Sequence, residues 1–201
     1  MRIFFKIVSG VLHPMLLPFF GTILLFQVGG FKVLPLDYKM FIEGIVLLNT
    51  AILPVFGIWL LKKNGQISDY DVSVRSERIF PYLIVIVCYI SAIVMFIRYQ
   101  IPLWVVKLYI GSILSVFVAF FINLKWKISA HTMAFGCLVA GVFLVCLNQG
   151  INPLLFLVTI LLLAGLQASS RIWLGSHTFG QVTAGFSLGF ISVCATYFFI
   201  P

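Results

Sequence analysis

The chain has 201 residues, of which 62% are hydrophobic and only 9% are charged. Soluble proteins carry about 25% charged residues, so this composition predicts a membrane protein. Thirteen Lys and Arg face five Asp and Glu, but the basic residues are scattered among apolar runs, which excludes a nucleic-acid partner and favours anionic lipids. No carboxylate follows Glu77, which excludes paired-acid and two-metal mechanisms in the rest of the chain.

Uncharged apolar runs of about 20 residues predict membrane-spanning helices, because a bilayer core is about 30 Å thick. A first helix, retained rather than cleaved, is expected between Lys6 and Lys32, and a second over Met40–Leu61. Their prolines indicate that one of the two is kinked or partly re-entrant. Later helices are predicted over residues 79–97, 103–123 and 178–200, with a hairpin of two helices within 128–170 that turns at 148–153.

The predicted architecture is therefore a single all-α, polytopic membrane bundle over residues 1–201, with six or seven spanning helices. Three segments between the helices are polar: Gln66–Pro81, Asn123–His131 and Ser169–Gln181. Even numbers of crossings separate them, so all three are expected at the same face of the membrane. A site assembled from three loops is thus permitted by the topology.

The third polar segment contains the strongest candidate group. Arg171 is its only charge, and His177 opens the final helix, where backbone N–H groups favour an anion. Gln181 lies one turn further on the same face, so its amide oxygen can accept a hydrogen bond from His177. Ser170 precedes Arg171 directly.

The other two segments add basic and hydroxyl side chains. Ser129 and His131 stand at a second helix start, and Arg75 and Arg78 precede Pro81. No Cys or His spacing typical of a metal site occurs, so neither a metal nor a cofactor is predicted. His13, beside Pro14, has no motif around it and is expected to be a packing residue.

These three segments resemble the signatures of the type 2 phosphatidic acid phosphatase superfamily over about the C-terminal two thirds of the chain. That family has a Lys six residues before Arg-Pro, then Pro-Ser-Gly-His, then Ser-Arg, five residues, His, three residues and Asp. Ser170, Arg171 and His177 match the third pattern, with Gln181 in place of Asp. Ser129 and His131 match the second in part. The first is weak, since Arg78 stands three residues before Pro81 and Asp71 occupies the Lys position.

The resemblance implies a chloroperoxidase-like helical core and a lipid phosphate phosphatase that needs no metal. By position, His177 is the nucleophile that forms a phosphohistidine, and His131 protonates the leaving group. Phosphate oxygens are expected to contact Arg171, Arg78, Ser129 and Ser170, while Arg75, Lys125 or Lys127 replaces the missing Lys. The substrate class is phosphatidate, polyprenyl phosphate or pyrophosphate, or a lipid A phosphate, and the location is a bacterial inner membrane.

Each of these residues can also be interpreted as having only a structural role. A histidine at the start of a membrane helix is often only an interfacial residue, and lysines near helix ends serve as anchors. The rival function is a non-catalytic relative that binds or moves anionic lipids through the same basic pocket. The replacement of Asp by Gln at position 181 favours that rival, because an amide cannot offset the charge of an imidazolium.

Overall fold

The computed structural model describes residues 1–200, and these are helical with no β-strand. Six helical segments are long and apolar enough to cross a membrane: Leu36–Lys63, Arg75–Arg98, Leu103–Lys125, Ala130–Asn148, Leu154–Trp173 and Phe179–Phe199. The prediction of an all-α, multi-pass membrane bundle is confirmed. The α-helices are α1 (Arg2–Val11), α2 (Leu17–Leu25), α3 (Leu36–Leu47), α4 (Leu53–Lys63), α5 (Ile79–Arg98), α6 (Leu103–Lys125), α7 (Ala130–Asn148), α8 (Leu154–Trp173) and α9 (Phe179–Phe199).

The predicted first helix between Lys6 and Lys32 is broken into two short helices. Pro14 explains the break between α1 and α2, because proline lacks an N–H donor and moves the residue before it out of the helical region. Pro18 instead lies in the first turn of α2, where no donor is needed. The segment still reaches across the bundle, since His13 contacts His131 at one end and Phe31 stacks on Trp104 at the other.

Helix α1 is amphipathic and packs along the last two turns of α8. Arg2, Lys6 and Ser9 recur along one side, while Ile3 and Ile7 are exposed on another. A helix of ten residues is too short to span a bilayer by itself. Its polar side packs on the end of α8 through Ser9, which is buried.

A π-helical turn at Leu48–Ile52 joins α3 to α4 into one span. Pro54 has no N–H to donate to the carbonyl of Thr50. The helix instead forms a hydrogen bond of π-helical spacing, from the Leu53 N–H to the Leu48 carbonyl. The turn contains Asn49, which is fully buried and donates to the Ile45 carbonyl at 2.9 Å. The sequence predicted a kink or a partly re-entrant segment in one of the first two helices, and the irregularity in the second is this π-helical turn.

The three polar segments meet at one end of the bundle, as the crossings predicted. Arg78 donates to the carbonyl of Ile128 at 3.0 Å. The Ser129 N–H donates to the Gln181 carbonyl at 3.3 Å, and the Thr132 hydroxyl to the Val182 carbonyl at 2.7 Å. The predicted hairpin turn after Asn148 is also present, with Gly150 at a φ of 65°.

Glycines allow α7 and α9, which begin in the second and third polar segments, to pack closely. A Cβ on Gly136 would overlap the Phe186 carbonyl oxygen, and one on Gly189 would overlap that of Met133. Small residues at such positions let helix backbones approach in a membrane, where packing rather than the hydrophobic effect holds helices together. This contact fixes the start of α7 against the start of α9.

We expect Gly189→Ala to destabilise the bundle by about 1–3 kcal/mol, because the added methyl group displaces the α7 backbone. Thermal unfolding of the purified protein in detergent measures the effect as a lower midpoint. Gly165→Ala on α8 is the matched control, since its Cβ would meet no atom within 4 Å. Equal unfolding midpoints for the two variants would contradict the close contact between α7 and α9.

Candidate functional site

A cavity of about 210 Å³ begins where α7 and α9 start and continues into the bundle. One water occupies about 10–15 Å³ by the same measure, so the space is large enough for a ligand. Asp71, whose side chain is 59% exposed, connects it to the surface. The Arg, Asp and His side chains that line the cavity are His13, Asp71, Arg78, His131, Arg171 and His177.

His177 is held by the structure on both sides of it in the chain. The turn after α8 uses Gly175 at a φ of 69°, and Thr178 then caps α9. Gln181 completes a capping box, since its side-chain oxygen Oε1 accepts from the Thr178 N–H at 3.2 Å. The same oxygen lies 3.0 Å from Nδ1 of His177. Gln181 therefore serves both the helix start and the imidazole.

These contacts fix the tautomer of His177. Because the Thr178 N–H must donate, the Gln181 atom that receives it is the amide oxygen, which can only accept. Nδ1 of His177 therefore carries the ring hydrogen, and Nε2 keeps its lone pair. His177 lines the cavity, so this free nitrogen is available to a ligand there.

The charge state of His177 follows from its surroundings. Burial, together with the positive charges of Arg78, Lys127 and Arg171, lowers the pKa of His177 from 6.5 to about 3. The hydrogen bond to Gln181 opposes this shift but does not cancel it. The imidazole is thus neutral near pH 7, which is the form that can act as a nucleophile or accept a proton.

His131 lies in the first turn of α7 and is 7% exposed. Its ring faces the cavity and contacts the ring of His13 edge to face, with centroids 5.3 Å apart. Ser129 caps this helix by accepting from the Thr132 N–H at 3.4 Å. The helix cap therefore determines where His131 is presented.

His13 lines the cavity and contacts His131, whereas its sequence context predicted only a packing residue. Its Nδ1 accepts from the Met15 N–H at 3.3 Å, so a neutral His13 carries its hydrogen on Nε2. The break at Pro14 was the available signal, because non-helical backbone inside a membrane protein is tolerated mainly where it lines a cavity.

Arg171 provides a buried positive charge beside the cavity. It is 2% exposed, and its Nη1 donates to the Ser9 hydroxyl at 2.7 Å and lies 3.5 Å from Asp71. Nε of Arg171 has no partner among the described residues. A guanidinium that is desolvated and keeps free N–H groups is suited to bind a phosphate.

Arg78 adds a second guanidinium, held by the backbone of two loops. Its Nε donates to the Val72 carbonyl at 2.9 Å and its Nη1 to the Ile128 carbonyl at 3.0 Å. Val72 has a φ of 46°, an unfavourable value for a β-branched residue. This strained loop directs both the Val72 carbonyl to Arg78 and the neighbouring Asp71 to Arg171.

Three predicted phosphate ligands do not reach the cavity. Ser129 is fully buried, and its N–H is already bonded to Gln181. Ser170 donates its hydroxyl to the Phe5 carbonyl at 2.8 Å and so attaches α1 to α8. Arg75 donates to the carbonyls of Asn123 and Leu124 at the end of α6. All three make structural contacts, and their predicted role in binding phosphate is not supported by these positions.

We expect Asp71→Asn to raise the affinity for vanadate by up to about fivefold. Asp71 competes with an anion for Arg171, and an ion pair with one exposed partner contributes about 0.2–1 kcal/mol. Titration calorimetry on the protein in nanodiscs measures the affinity. Asp37→Asn, at the start of α3 on the other end of the bundle, gives the same change in net charge and is expected to have no effect. Unchanged or weaker binding by Asp71→Asn would contradict the competition.

In the part of the chain that the structure describes, no three His, Cys, Asp or Glu side chains are grouped as metal ligands. Comparison with known proteins finds no matching family model, no matching curated protein and no matching solved structure.

Proposed function

We propose that this protein is a membrane phosphatase that hydrolyses the phosphomonoester of a lipid through a phosphohistidine at His177. The observation that supports this best is the tautomer of His177, whose Nδ1 is bonded to Gln181 while Nε2 is free in a cavity shared with Arg171 and His131. The match of Ser170, Arg171 and His177 to the type 2 phosphatidic acid phosphatase signature points to the same chemistry.

In the first step, Nε2 of His177 attacks phosphorus and the bond from phosphorus to the lipid oxygen breaks. His131 takes up a proton from solvent when the anionic phosphate binds beside it, and it then gives this proton to the lipid oxygen, so that the lipid leaves as an alcohol. Arg171 and Arg78 stabilise the charge on the non-bridging oxygens. In the second step, water attacks phosphorus and the bond from phosphorus to Nε2 of His177 breaks, while His131 takes up one proton of the water and inorganic phosphate leaves.

A lipid substrate fits the position of this site. The histidines and arginines lie at the end of the bundle where helices start, so a headgroup remains in contact with water there. The rest of the cavity leads into the apolar interior of the membrane bundle. An anionic headgroup on a hydrocarbon chain matches both parts.

The test is phosphate release from a panel of lipid phosphates by the purified protein in nanodiscs. We expect release from at least one of them, together with an acid-labile phosphoryl group on His177 that mass spectrometry locates after rapid quenching. A stable phosphoryl group elsewhere, or release without any group on His177, would reject the mechanism.

The second candidate is a protein that binds or moves anionic lipids without turnover. Gln181 supports it, because an amide cannot compensate the positive charge that His177 gains during attack. The contact of Asp71 with Arg171 supports it as well, since it places a carboxylate where phosphate would bind. Lipid phosphate binding with no phosphate release across the panel would establish this second function.

A further inference from the structure

The cavity continues far below the polar side chains of the candidate site. On α7 its lining runs from His131 to Val142, which are three helical turns apart and hence separated by about 16 Å along the helix axis. We call the lower part the chain chamber. It is lined by Leu25, Leu108, Tyr109, Ser112, Leu138 and Val142.

The walls of the chain chamber are mainly apolar and come from several helices. Leu25 comes from α2, Tyr109 from α6 and Val142 from α7. The short helix α2 therefore forms one wall of the chamber. A hydrocarbon chain in this space contacts protein on several sides.

We propose that the chain chamber binds one hydrocarbon chain of an anionic amphiphile whose phosphate lies between His177, His131 and Arg171. The headgroup assignment rests on the proposed function, whereas the chamber itself rests on its own lining. A volume of about 210 Å³ is below the about 300–1,000 Å³ of typical small-molecule pockets, which favours one slender chain over two. The inferred substrate class is therefore a single-chain lipid phosphate, such as an alkyl, prenyl or lyso-type phosphate.

Binding of a series of alkyl phosphates tests the inference without requiring turnover. Butyl, octyl and dodecyl phosphate are titrated into the protein in nanodiscs, with empty nanodiscs subtracted and affinities expressed against the free aqueous concentration. Each methylene that leaves water stabilises the complex, so dodecyl phosphate is expected to bind at least about tenfold more tightly than butyl phosphate. A phosphatidate with two dodecyl chains is expected to bind more weakly than dodecyl phosphate, because the chamber holds only one chain.

Ser112→Phe fills the middle of the chamber, about two turns below His131. The Ser112 hydroxyl donates to the Leu108 carbonyl at 2.9 Å within its own helix. We expect this variant to bind dodecyl phosphate about tenfold more weakly and to keep its affinity for vanadate and butyl phosphate. Leu114→Phe, on the exposed side of the same helix, is the matched control and is expected to leave all affinities unchanged.

Two results would overturn the inference. One is an affinity that does not depend on chain length, and the other is a Ser112→Phe variant that binds dodecyl phosphate like Leu114→Phe. Retained vanadate binding shows that Ser112→Phe is folded. If affinity depends on chain length but no phosphate is released, the chamber is supported and the proposed hydrolysis is rejected. If phosphate is released but affinity does not depend on chain length, the hydrolysis is supported and the chamber is rejected.

Discussion

His177→Ala is expected to reduce phosphate release by about 10⁴-fold or more, because it removes the atom that bonds to phosphorus. The loss should be the same for every substrate, including an aryl phosphate whose leaving group needs no proton. His131→Ala is expected to cost about 10²–10⁴-fold with a lipid phosphate and much less with the aryl phosphate, since a good leaving group departs without a general acid. Rapid-quench measurement of the phosphoryl-enzyme and of free phosphate separates the two roles.

Vanadate binding provides the control for these two variants. Arg171 is held by Ser9 and Arg78 by two backbone carbonyls, so both arginines remain in place when either histidine is shortened. We expect the affinity for vanadate to fall by less than the rate does. Phosphate release that persists in His177→Ala, or equal losses with both substrates in His131→Ala, would reject the assigned roles.

Hydropathy and topology predicted most of the architecture because the bilayer imposes a simple rule. Runs of uncharged residues predicted the five helices from α5 to α9 and the turn near Gly150. The number of membrane crossings predicted that the motif segments lie together. The N-terminal region followed no such rule. Its break at Pro14 puts His13 beside His131, a tertiary contact for which the local sequence contains no motif.

The candidate site shows a second limit of sequence reasoning. Residues in register with a motif were all expected to contact phosphate, yet the hydroxyls of Ser129 and Ser170 form hydrogen bonds with backbone groups instead. A hydroxyl beside a helix terminus has two possible partners, the ligand and the backbone, and spacing along the chain does not distinguish them. The distinction depends on α1, whose packing against α8 provides the Phe5 carbonyl.

Gln181 is the residue at which structural and catalytic requirements meet. As the third residue of α9 it satisfies the Thr178 N–H, and a helix start of this kind is stabilised equally by Gln or Glu. Toward His177 the two are not equivalent. Gln fixes the tautomer, whereas Glu would also offset the charge on the imidazolium that forms during attack.

Gln181→Glu is therefore expected to increase the rate of phosphoryl transfer about ten- to a hundredfold. A carboxylate 3.0 Å from Nδ1 raises the pKa of His177 from about 3 by about one to three units, and each unit corresponds to a tenfold stabilisation of the charged imidazole. His177 still remains largely neutral at pH 7, so little of the nucleophile is lost. Single-turnover phosphate release and NMR titration of the imidazole measure the two effects separately.

Gln181→Leu is the matched control, because it keeps the size of the side chain and removes the acceptor. We expect it to lose phosphate release through the wrong tautomer and to lower the unfolding midpoint slightly through the lost cap, about 0.5–2 kcal/mol. If Gln181→Glu raises the pKa of His177 and leaves the rate unchanged, positive charge does not develop on this imidazole in the transition state. His177 would then be a phosphate ligand, and lipid binding without turnover would be the function.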